Sequence, residues 1–132
     1  YMDFGFSHVL ETCLYVQDTQ RAADFYHGTL GLPIVHHKAG EHIFFRVGPS
    51  MLLLFNPEVS GRKTSPPPHH AQGDQHFCLE VPDEHYESAK AKIQSIGLPI
   101  EEEILWPTGK RSFYFRDPEH NALEIAQPGI WG

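Results

Sequence analysis

The segment Cys13-Leu14-Tyr15-Val16-Gln17-Asp18 recurs 65 residues later as Cys78-Leu79-Glu80-Val81-Pro82-Asp83. The tetrapeptide Gly31-Leu32-Pro33-Ile34 recurs unchanged as Gly97-Leu98-Pro99-Ile100, at an offset of 66 residues. Two matches at nearly one offset indicate an internal duplication, and a duplicated unit dictates the fold. We therefore divide the chain into modules 8–57 and 75–128, joined by a linker, 58–74, within a single domain that spans residues 1–132.

Each module has the pattern of a strand, a helix and three further strands. Asp18 is a plausible helix cap, and Gly31 ends the first helix. The predicted fold class is therefore α+β, with two tandem βαβββ modules. The predicted strands are Val9–Val16, Ile34–Ala39, Glu41–Val47, Met51–Asn56, Gln75–Val81, Ile100–Trp106, Arg111–Arg116 and Ala122–Gln127, and the second helix runs from about Asp83 to Ile96.

Composition excludes several classes of function. The chain has 132 residues, 40% of them hydrophobic, and a net charge of −7, so a nucleic acid or an anionic membrane would be repelled by the average surface. The expected partner is a small molecule. The sequence lacks a run of 18 apolar residues and a basic, apolar start, so we expect a cytoplasmic protein. Cys13 and Cys78 lack a CxxC spacing and are expected to be reduced.

The linker is rich in proline and glycine, including Pro66-Pro67-Pro68, a composition that favours extended and turn conformations. His69 and His70 lie in this segment. Two interpretations stay open for them: solvated loop histidines, or side chains that approach a ligand from the loop.

Ionisable residues stand on one face of three predicted strands. Side chains alternate between the two faces of a strand, and this alternation places Glu11, His76 and Glu124 opposite the face that packs under the helix. Two carboxylates and one imidazole suit a divalent cation that keeps open positions for substrate or water. Alternatively, all three side chains are simply solvated.

Three stretches resemble the vicinal oxygen chelate superfamily, which includes glyoxalase I, extradiol dioxygenases, fosfomycin-modifying thiol transferases and bleomycin resistance proteins. They are the opening Glu11–Asp18, the Phe25-Tyr26 pair ahead of Leu30-Gly31-Leu32, and the closing run from Phe113 to Glu124. The resemblance covers nearly the whole chain. It implies a curved mixed sheet, built from both modules, that encloses a cleft holding a divalent metal ion.

Family ligands lie on the first and last strands of each module, which implies Glu11, His76 and Glu124 as metal ligands here. The fourth ligand position aligns with Leu53, which cannot coordinate. This departs from the four-ligand set of glyoxalase I. Glu11 also replaces the first histidine of the three-ligand branches, and the resulting set of two Glu and one His is compatible with Mn, Fe, Zn, Mg or Ni.

Further candidate roles follow from the positions of residues on the strands near this site. Glu11 or Glu124 can act as a base and Tyr114 as a hydrogen-bond donor, while Arg111, Tyr15 and Trp106 are candidates to contact substrate. Arg111 and Tyr114 differ in strand parity, so both cannot point into the cleft. His120 stands where the family usually has glycine, at a position that tends to positive φ, and is expected to be a turn residue.

The resemblance implies a metal-dependent lyase, isomerase or dioxygenase whose small substrate chelates the cation through vicinal oxygens. The alternative is a metal-free protein of the bleomycin resistance type that sequesters a small molecule. A module of about 55 residues is too small to bury both faces of its sheet, so the modules must pair, either within one chain or by exchange between two chains. Of these two arrangements, the resemblance implies a homodimer. Glu11 can then come from one chain while His76 and Glu124 come from the other.

Overall fold

The structure, a computed structural model, describes residues 3–132, so the first two residues of the predicted 1–132 domain lie outside it. The chain divides into two compact units, one ending at Gly73 and the other beginning at Asp74. This division falls at the end of the proposed linker. The module limits 8–57 and 75–128 stay a prediction.

The first unit contains the predicted strand, helix and three strands, followed by a short helix. Its first helix begins where Asp18 accepts a hydrogen bond from the backbone N–H of Arg21, and it continues as a π-helix that places Phe25 and Tyr26 in the core. The elements are β1 (Glu11–Tyr15), α1 (Thr19–Ala23), the π-helix Asp24–Thr29, β2 (Ile34–Lys38), β3 (His42–Val47), β4 (Ser50–Phe55) and α2 (Pro57–Ser60).

The second unit repeats the order of the first. A 3₁₀ turn precedes its helix, so the predicted helix 83–96 is shorter than expected at both ends. The elements are β5 (His76–Glu80), the 3₁₀ turn Asp83–His85, α3 (Tyr86–Ser95), β6 (Glu102–Leu105), β7 (Arg111–Arg116) and β8 (Ala122–Ala126). None of the helices in residues 3–132 is long and apolar enough to cross a membrane.

Each unit forms a four-stranded mixed sheet, with order β1-β4-β3-β2 in the first and β5-β8-β7-β6 in the second. The outer strand β1 is parallel to β4, β5 is parallel to β8, and the remaining pairs are antiparallel. The α+β class with two βαβββ modules is therefore confirmed. The eight strands form two hydrogen-bonded sheets of four strands each.

The helix-facing side of each sheet forms the core of its unit. In the first unit the largest fully buried side chains include Tyr26 and Phe45, and in the second they include Tyr86 and Phe113. Side-chain alternation predicts that Leu10 lies on the same buried face as Leu14, and this prediction is wrong: Leu14 is buried, but Leu10 is 58% exposed. The helix α1 packs on β3 and β4, so the start of β1 lies beyond its cover.

The linker is more ordered than its composition predicts. Asn56 caps α2 by accepting a hydrogen bond from the backbone N–H of Glu58 at 2.9 Å. The buried hydroxyl of Ser60 donates to the carbonyl of His69 at 2.7 Å. The segment after β4 therefore folds back on the first unit instead of extending away from it.

Candidate functional site

A buried carboxylate lies at the centre of the second unit's sheet. Glu124 on β8 is 5% exposed, and its Oε1 lies 3.3 Å from Nε2 of His76 on β5. Its other oxygen, Oε2, is buried and has no hydrogen-bond partner among the residues that the structure describes. An unpaired buried carboxylate oxygen destabilises the folded state. A bound cation or a proton donor beside Oε2 would remove that cost.

The imidazole of His76 is oriented by the backbone. Its Nδ1 lies 2.7 Å from the carbonyl oxygen of Ala122, and because a carbonyl can only accept, Nδ1 must carry the proton. In the neutral ring Nε2 then presents a lone pair toward Glu124. Metal-binding histidines are commonly held in this way, with the second nitrogen bonded to a carbonyl.

The spacing of these two donor atoms fits a shared cation. Two ligand atoms about 2.1 Å from one metal ion, at angles between about 90° and 109°, are about 3.0–3.4 Å apart, and the observed separation of Nε2 and Oε1 is 3.3 Å. A lone pair and a carboxylate oxygen repel each other unless a proton or a cation lies between them. His76 and Glu124 therefore fit two of the positions in a metal shell.

Tyr114 and Cys78 flank Glu124 on the neighbouring strands, at the paired positions of β7 and β5. Burial, followed by the charge of Glu124, raises the pKa of the Cys78 thiol to about 12. Burial and the hydrogen bond to Glu124 also raise the pKa of Tyr114. Both groups stay protonated at neutral pH, so Tyr114 is a hydrogen-bond donor and Cys78 is a poor nucleophile.

Arg111 lies on the opposite face of β7 from Tyr114, in line with their parity. Its guanidinium pairs with Glu87 and with Glu103 and lies 4.9 Å from the centre of the Tyr86 ring. Since Tyr86 packs against Phe113 in the core, this is the helix side of the sheet. Of the two predicted residues on β7, Tyr114 is the one that accompanies Glu124.

Trp106 follows β6 and is half-buried. Its Nε1 donates a hydrogen bond to the hydroxyl of Ser112 at 2.9 Å, and its ring lies 5.9 Å from that of Trp131. Ser112 shares a face of β7 with Tyr114, which brings Trp106 to the side of the sheet that carries Glu124. A contact between Trp106 and substrate stays a prediction.

The first unit has a cleft of about 440 Å³ at the equivalent place in its own sheet. Strand register identifies the equivalent residues: Leu53 pairs with Cys13 and Phe44, as Glu124 pairs with Cys78 and Tyr114. The alignment of Leu53 with Glu124 therefore holds in space. By the same register, Glu11 occupies the position of His76. At these two equivalent positions the first unit therefore has one side chain able to bind a metal ion, Glu11, and the second unit has two.

Aromatic and imidazole rings line this cleft in a continuous series. His42 stacks on Phe44 with ring centres 4.4 Å apart, and Phe44 meets Phe55 edge-on at 5.4 Å. Phe55 in turn meets His69 at 4.6 Å, and Nδ1 of His69 lies 2.7 Å from the hydroxyl of Tyr15. Tyr15, predicted to contact substrate, thus lies beside the cleft with a partner from the linker.

His69 is the residue that sequence reasoning left undecided. The contact with Tyr15 spans 54 positions, and only the location of His69 in a proline-rich loop hinted at it. His70 instead lies at a separate, shallower cavity of about 350 Å³, with Arg62 and Gly61. The structure therefore separates the two adjacent histidines.

His120 is the turn residue that the sequence predicted. Its φ is +68°, and it is the one non-glycine residue with positive φ in the part of the chain that the structure describes. Its Nδ1 lies 2.9 Å from a carboxylate oxygen of Asp74. The preceding turn is fixed by Asp117, whose buried carboxylate accepts from the backbone N–H and the side-chain amide of Asn121.

Within residues 3–132, no group of three His, Cys, Asp or Glu side chains is arranged to hold a metal ion. His76 and Glu124 are brought together in the second unit, and Glu11 lies at the cleft of the first. The three-residue ligand set consequently stays a prediction.

Comparison with known proteins identifies the family. The model of the Glyoxalase/Bleomycin resistance protein/Dioxygenase superfamily matches residues 5–125. A lactoylglutathione lyase from Agrobacterium tumefaciens is similar in structure, with a TM-score of 0.91 and 36% identity over 96% of this chain and 97% of that one.

Two further solved structures resemble the chain less closely. An integron cassette protein from the mobile metagenome of V. cholerae has a TM-score of 0.75 at 26% identity, covering 97% of this chain and 100% of that one. A glyoxalase/bleomycin resistance protein/dioxygenase from Nocardioides, at 16% identity and a TM-score of 0.73, covers 95% and 85% and shows the fold alone. No curated protein matches the sequence. By the family match over most of its length, the chain belongs to the glyoxalase/bleomycin resistance protein/dioxygenase superfamily.

Proposed function

We propose that this chain is a divalent-metal-dependent enzyme that acts on a small molecule with two neighbouring oxygens. One observation carries the proposal: Nε2 of His76 lies 3.3 Å from the buried carboxylate of Glu124, whose second oxygen has no hydrogen-bond partner among residues 3–132. A bound cation would satisfy both donors at once. The candidate metals are Mn, Fe, Zn, Mg and Ni, because the donors are imidazole nitrogen and carboxylate oxygen.

Glu11 is the proposed third ligand. It occupies in the first unit the register position that His76 has in the second, and its side chain is exposed at the cleft. We propose a homodimer in which Glu11 of one chain joins His76 and Glu124 of the other. Exposed apolar residues near the start of β1 support an interface there, since Phe6 is 90% and Val9 is 75% exposed.

The metal would supply Lewis-acid stabilisation of the negative charge that develops on the substrate's oxygens. The chain's own residues then supply position and protons. The protonated hydroxyl of Tyr114 donates a hydrogen bond next to Glu124. We assign the proton-accepting role to Glu11, because it is exposed at the cleft whereas Glu124 is buried and held among Tyr114, Cys78 and His76.

The similarity to a lactoylglutathione lyase supports a lyase among the possible reactions. Glyoxalase I has four protein ligands, but Leu53 stands at the fourth ligand position here and cannot coordinate a metal ion. This argues for a different ligand set in this chain. We therefore propose lyase, isomerase or dioxygenase chemistry on a chelating substrate, with isomerisation or lyase chemistry favoured by the presence of an exposed base.

Calorimetric titration of Mn²⁺ into chelator-treated protein tests the proposal. We expect one ion per chain, and we expect His76→Ala and Glu124→Gln to reduce the affinity at least tenfold. His37→Ala, which removes an exposed histidine of β2, is the matched control and should bind normally. Full-strength binding by His76→Ala would overturn the assignment.

Glu11→Gln separates the two roles of that residue. Loss of Mn²⁺ affinity would show that Glu11 is a ligand, whereas unchanged affinity with lost turnover would show that it acts only as a base. Mixing Glu11→Gln chains with His76→Ala chains tests the shared site. If each site takes residues from two chains, the mixed dimer keeps one intact site and recovers metal binding that neither parent has.

The second candidate function is metal-free binding of a small molecule. The apolar cleft of the first unit favours it, because Leu53 and Phe44 occupy the positions of Glu124 and Tyr114. Elemental analysis of protein purified without chelator separates the candidates. A metal-free protein that binds small aromatic molecules and does not bind Mn²⁺ would favour sequestration.

A further inference from the structure

We infer that the cleft of the first unit is a subsite for a planar aromatic molecule that presents an acceptor oxygen. The identification of this molecule as the substrate rests on the proposed function, whereas its binding in the cleft does not. The cleft is formed entirely by residues between Glu11 and His69. Its volume of about 440 Å³ falls within the range of about 300–1,000 Å³ that is usual for small-molecule pockets.

The shape of the lining favours a flat ring. The rings of His42 and Phe44 are nearly parallel, with an interplanar angle of 13°, and those of Phe55 and His69 stand at 85° to each other. The lining thus already contains both the stacked and the edge-on arrangement that aromatic pairs prefer, and a flat ligand ring can extend either. Leu53 and Val59 complete the wall with aliphatic surface.

The polar end of the cleft is built on the linker. The backbone of His69 is fixed by hydrogen bonds to Ser60, at 2.7 Å from the Ser60 hydroxyl and 3.3 Å to its carbonyl. Nδ1 is engaged by Tyr15. Burial raises the pKa of Tyr15, so its hydroxyl stays protonated and is able to donate a hydrogen bond to Nδ1. In that arrangement the neutral ring carries its N–H at Nε2.

A second donor comes from Lys63. Its ammonium lies 3.8 Å from Glu41, whereas Lys38 lies 2.5 Å from the same carboxylate. The hydrogen bond from Lys38 lowers the pKa of Glu41. Lys63 lies too far from Glu41 for a direct hydrogen bond, so its ammonium keeps donors for a ligand. With two donors at this end, the ligand is expected to place a carboxylate or carbonyl oxygen there.

Binding of 2-naphthoate to the full chain, in the presence of EDTA, tests the inference. We expect saturable binding with shifts of amide signals from the first unit in heteronuclear NMR spectra. Decahydro-2-naphthoate has the same carboxylate on a saturated, non-planar frame, and it should bind at least tenfold more weakly. Equal binding of the two compounds, or no binding of 2-naphthoate, would overturn the inference.

Three variants locate the subsite. Phe44→Leu should weaken 2-naphthoate binding by about three- to tenfold, the range expected for one aromatic pair, while Phe44→Tyr keeps a ring and should retain binding. His69→Gln should weaken it by about fivefold through loss of one hydrogen bond. Phe4→Leu changes a phenylalanine that is 72% exposed and outside the cleft, and it should have no effect. Wild-type affinity in Phe44→Leu would contradict the placement.

The same titration distinguishes this inference from the proposed function. His76→Ala should lose Mn²⁺ and keep 2-naphthoate, because the cleft contains no residue of the second unit. If wild-type protein binds 2-naphthoate but not Mn²⁺, the metal proposal fails and the subsite stands. If it binds Mn²⁺ but not 2-naphthoate, only the subsite fails.

Discussion

Replacement of Glu124 by leucine should stabilise the metal-free protein, although Glu124 is the proposed centre of the metal site. The side chain is 6% exposed and one of its oxygens has no hydrogen-bond partner within residues 3–132. Removing such a group avoids a desolvation cost of about 1–3 kcal/mol. Leucine should fit, because Leu53 occupies the equivalent register position in the first unit.

The loss of the ion pair with His76 and of the hydrogen bond from Tyr114 offsets part of this gain. His76 is 49% exposed, so its pairing with Glu124 is screened by water and contributes less than about 1 kcal/mol. Tyr114 is half-buried, so water replaces its lost partner in part and this loss costs about 0.5–1 kcal/mol. The net expectation is a gain of about 1 kcal/mol in the free energy of unfolding. For a chain of this size, that gain raises the melting temperature by about 3 °C.

Thermal unfolding measured with EDTA and with Mn²⁺ tests this reasoning. With EDTA the order of stability should be Glu124→Leu above Glu124→Gln above wild type. With Mn²⁺ at about 100 times its Kd, the wild type alone should gain about 2.7 kcal/mol, which reverses the order. Two results would refute this expectation: a melting temperature for Glu124→Leu below that of wild type in EDTA, or an equal stabilisation of Glu124→Leu and wild type by Mn²⁺.

Four further predictions follow from single features of the structure. Leu53→Glu should destabilise the metal-free protein by about 3 kcal/mol, because it buries a carboxylate without a partner, and Mn²⁺ should restore part of the loss in a melting experiment. Hydrogen bonds from Tyr86 and Lys90 lower the pKa of Glu103. The ionised Glu103 therefore stabilises the folded protein fully above its unfolded-state pKa near 4.5, and this stabilisation is lost as the pH falls through the folded-state pKa. In urea titrations between about pH 3 and pH 6, Glu103→Gln should lose less stability on acidification than wild type. His120→Gly should raise the free energy of unfolding by about 1 kcal/mol, since φ is +68°, and an unchanged or lower urea midpoint would count against strain at this turn. Light scattering should show a species of twice the 15.0 kDa chain mass, and a monomer alone at micromolar concentration would reject the dimer.

The duplication and the strand parity were sufficient to predict the class of fold. The recurrence of Cys13–Asp18 at Cys78–Asp83 places equivalent residues on equivalent strands, and the register of β1 with β4 and of β5 with β8 preserves that equivalence in space. Parity likewise separates Arg111 from Tyr114 on β7. These patterns are local, with a period of two residues, and can be read without tertiary information.

Features that depend on tertiary packing could not be predicted in this way. The π-helix Asp24–Thr29 follows α1 without a break, and over so few residues apolar spacing does not distinguish it from an α-helix. The capped turn α2 interrupts a segment whose prolines indicated an extended chain. The exposure of Leu10 depends on which strands α1 covers, and a strand pattern does not contain that information.

The candidate site likewise contains features that local patterns predict and features that depend on tertiary packing. His76 and Glu124 lie on adjacent strands of one sheet, so parity could place them on one face. The pairing of His69 with Tyr15 depends on how the linker folds back through Ser60, and neither residue belongs to a motif. The apolar character of the first unit's cleft was visible only as a missing ligand at Leu53.

Histidine ¹⁵N spectra recorded during a Zn²⁺ titration test the central claim most directly, because they report on Nε2 of His76 itself. We expect that the Nε2 resonance of one histidine, identified by its absence in His76→Gln, changes and saturates at one Zn²⁺ per chain. Its Nδ1 should remain protonated throughout, since it donates to the carbonyl of Ala122. Saturation with the His76 signals unchanged, or a response confined to other histidines, would contradict the claim that His76 and Glu124 hold the metal ion.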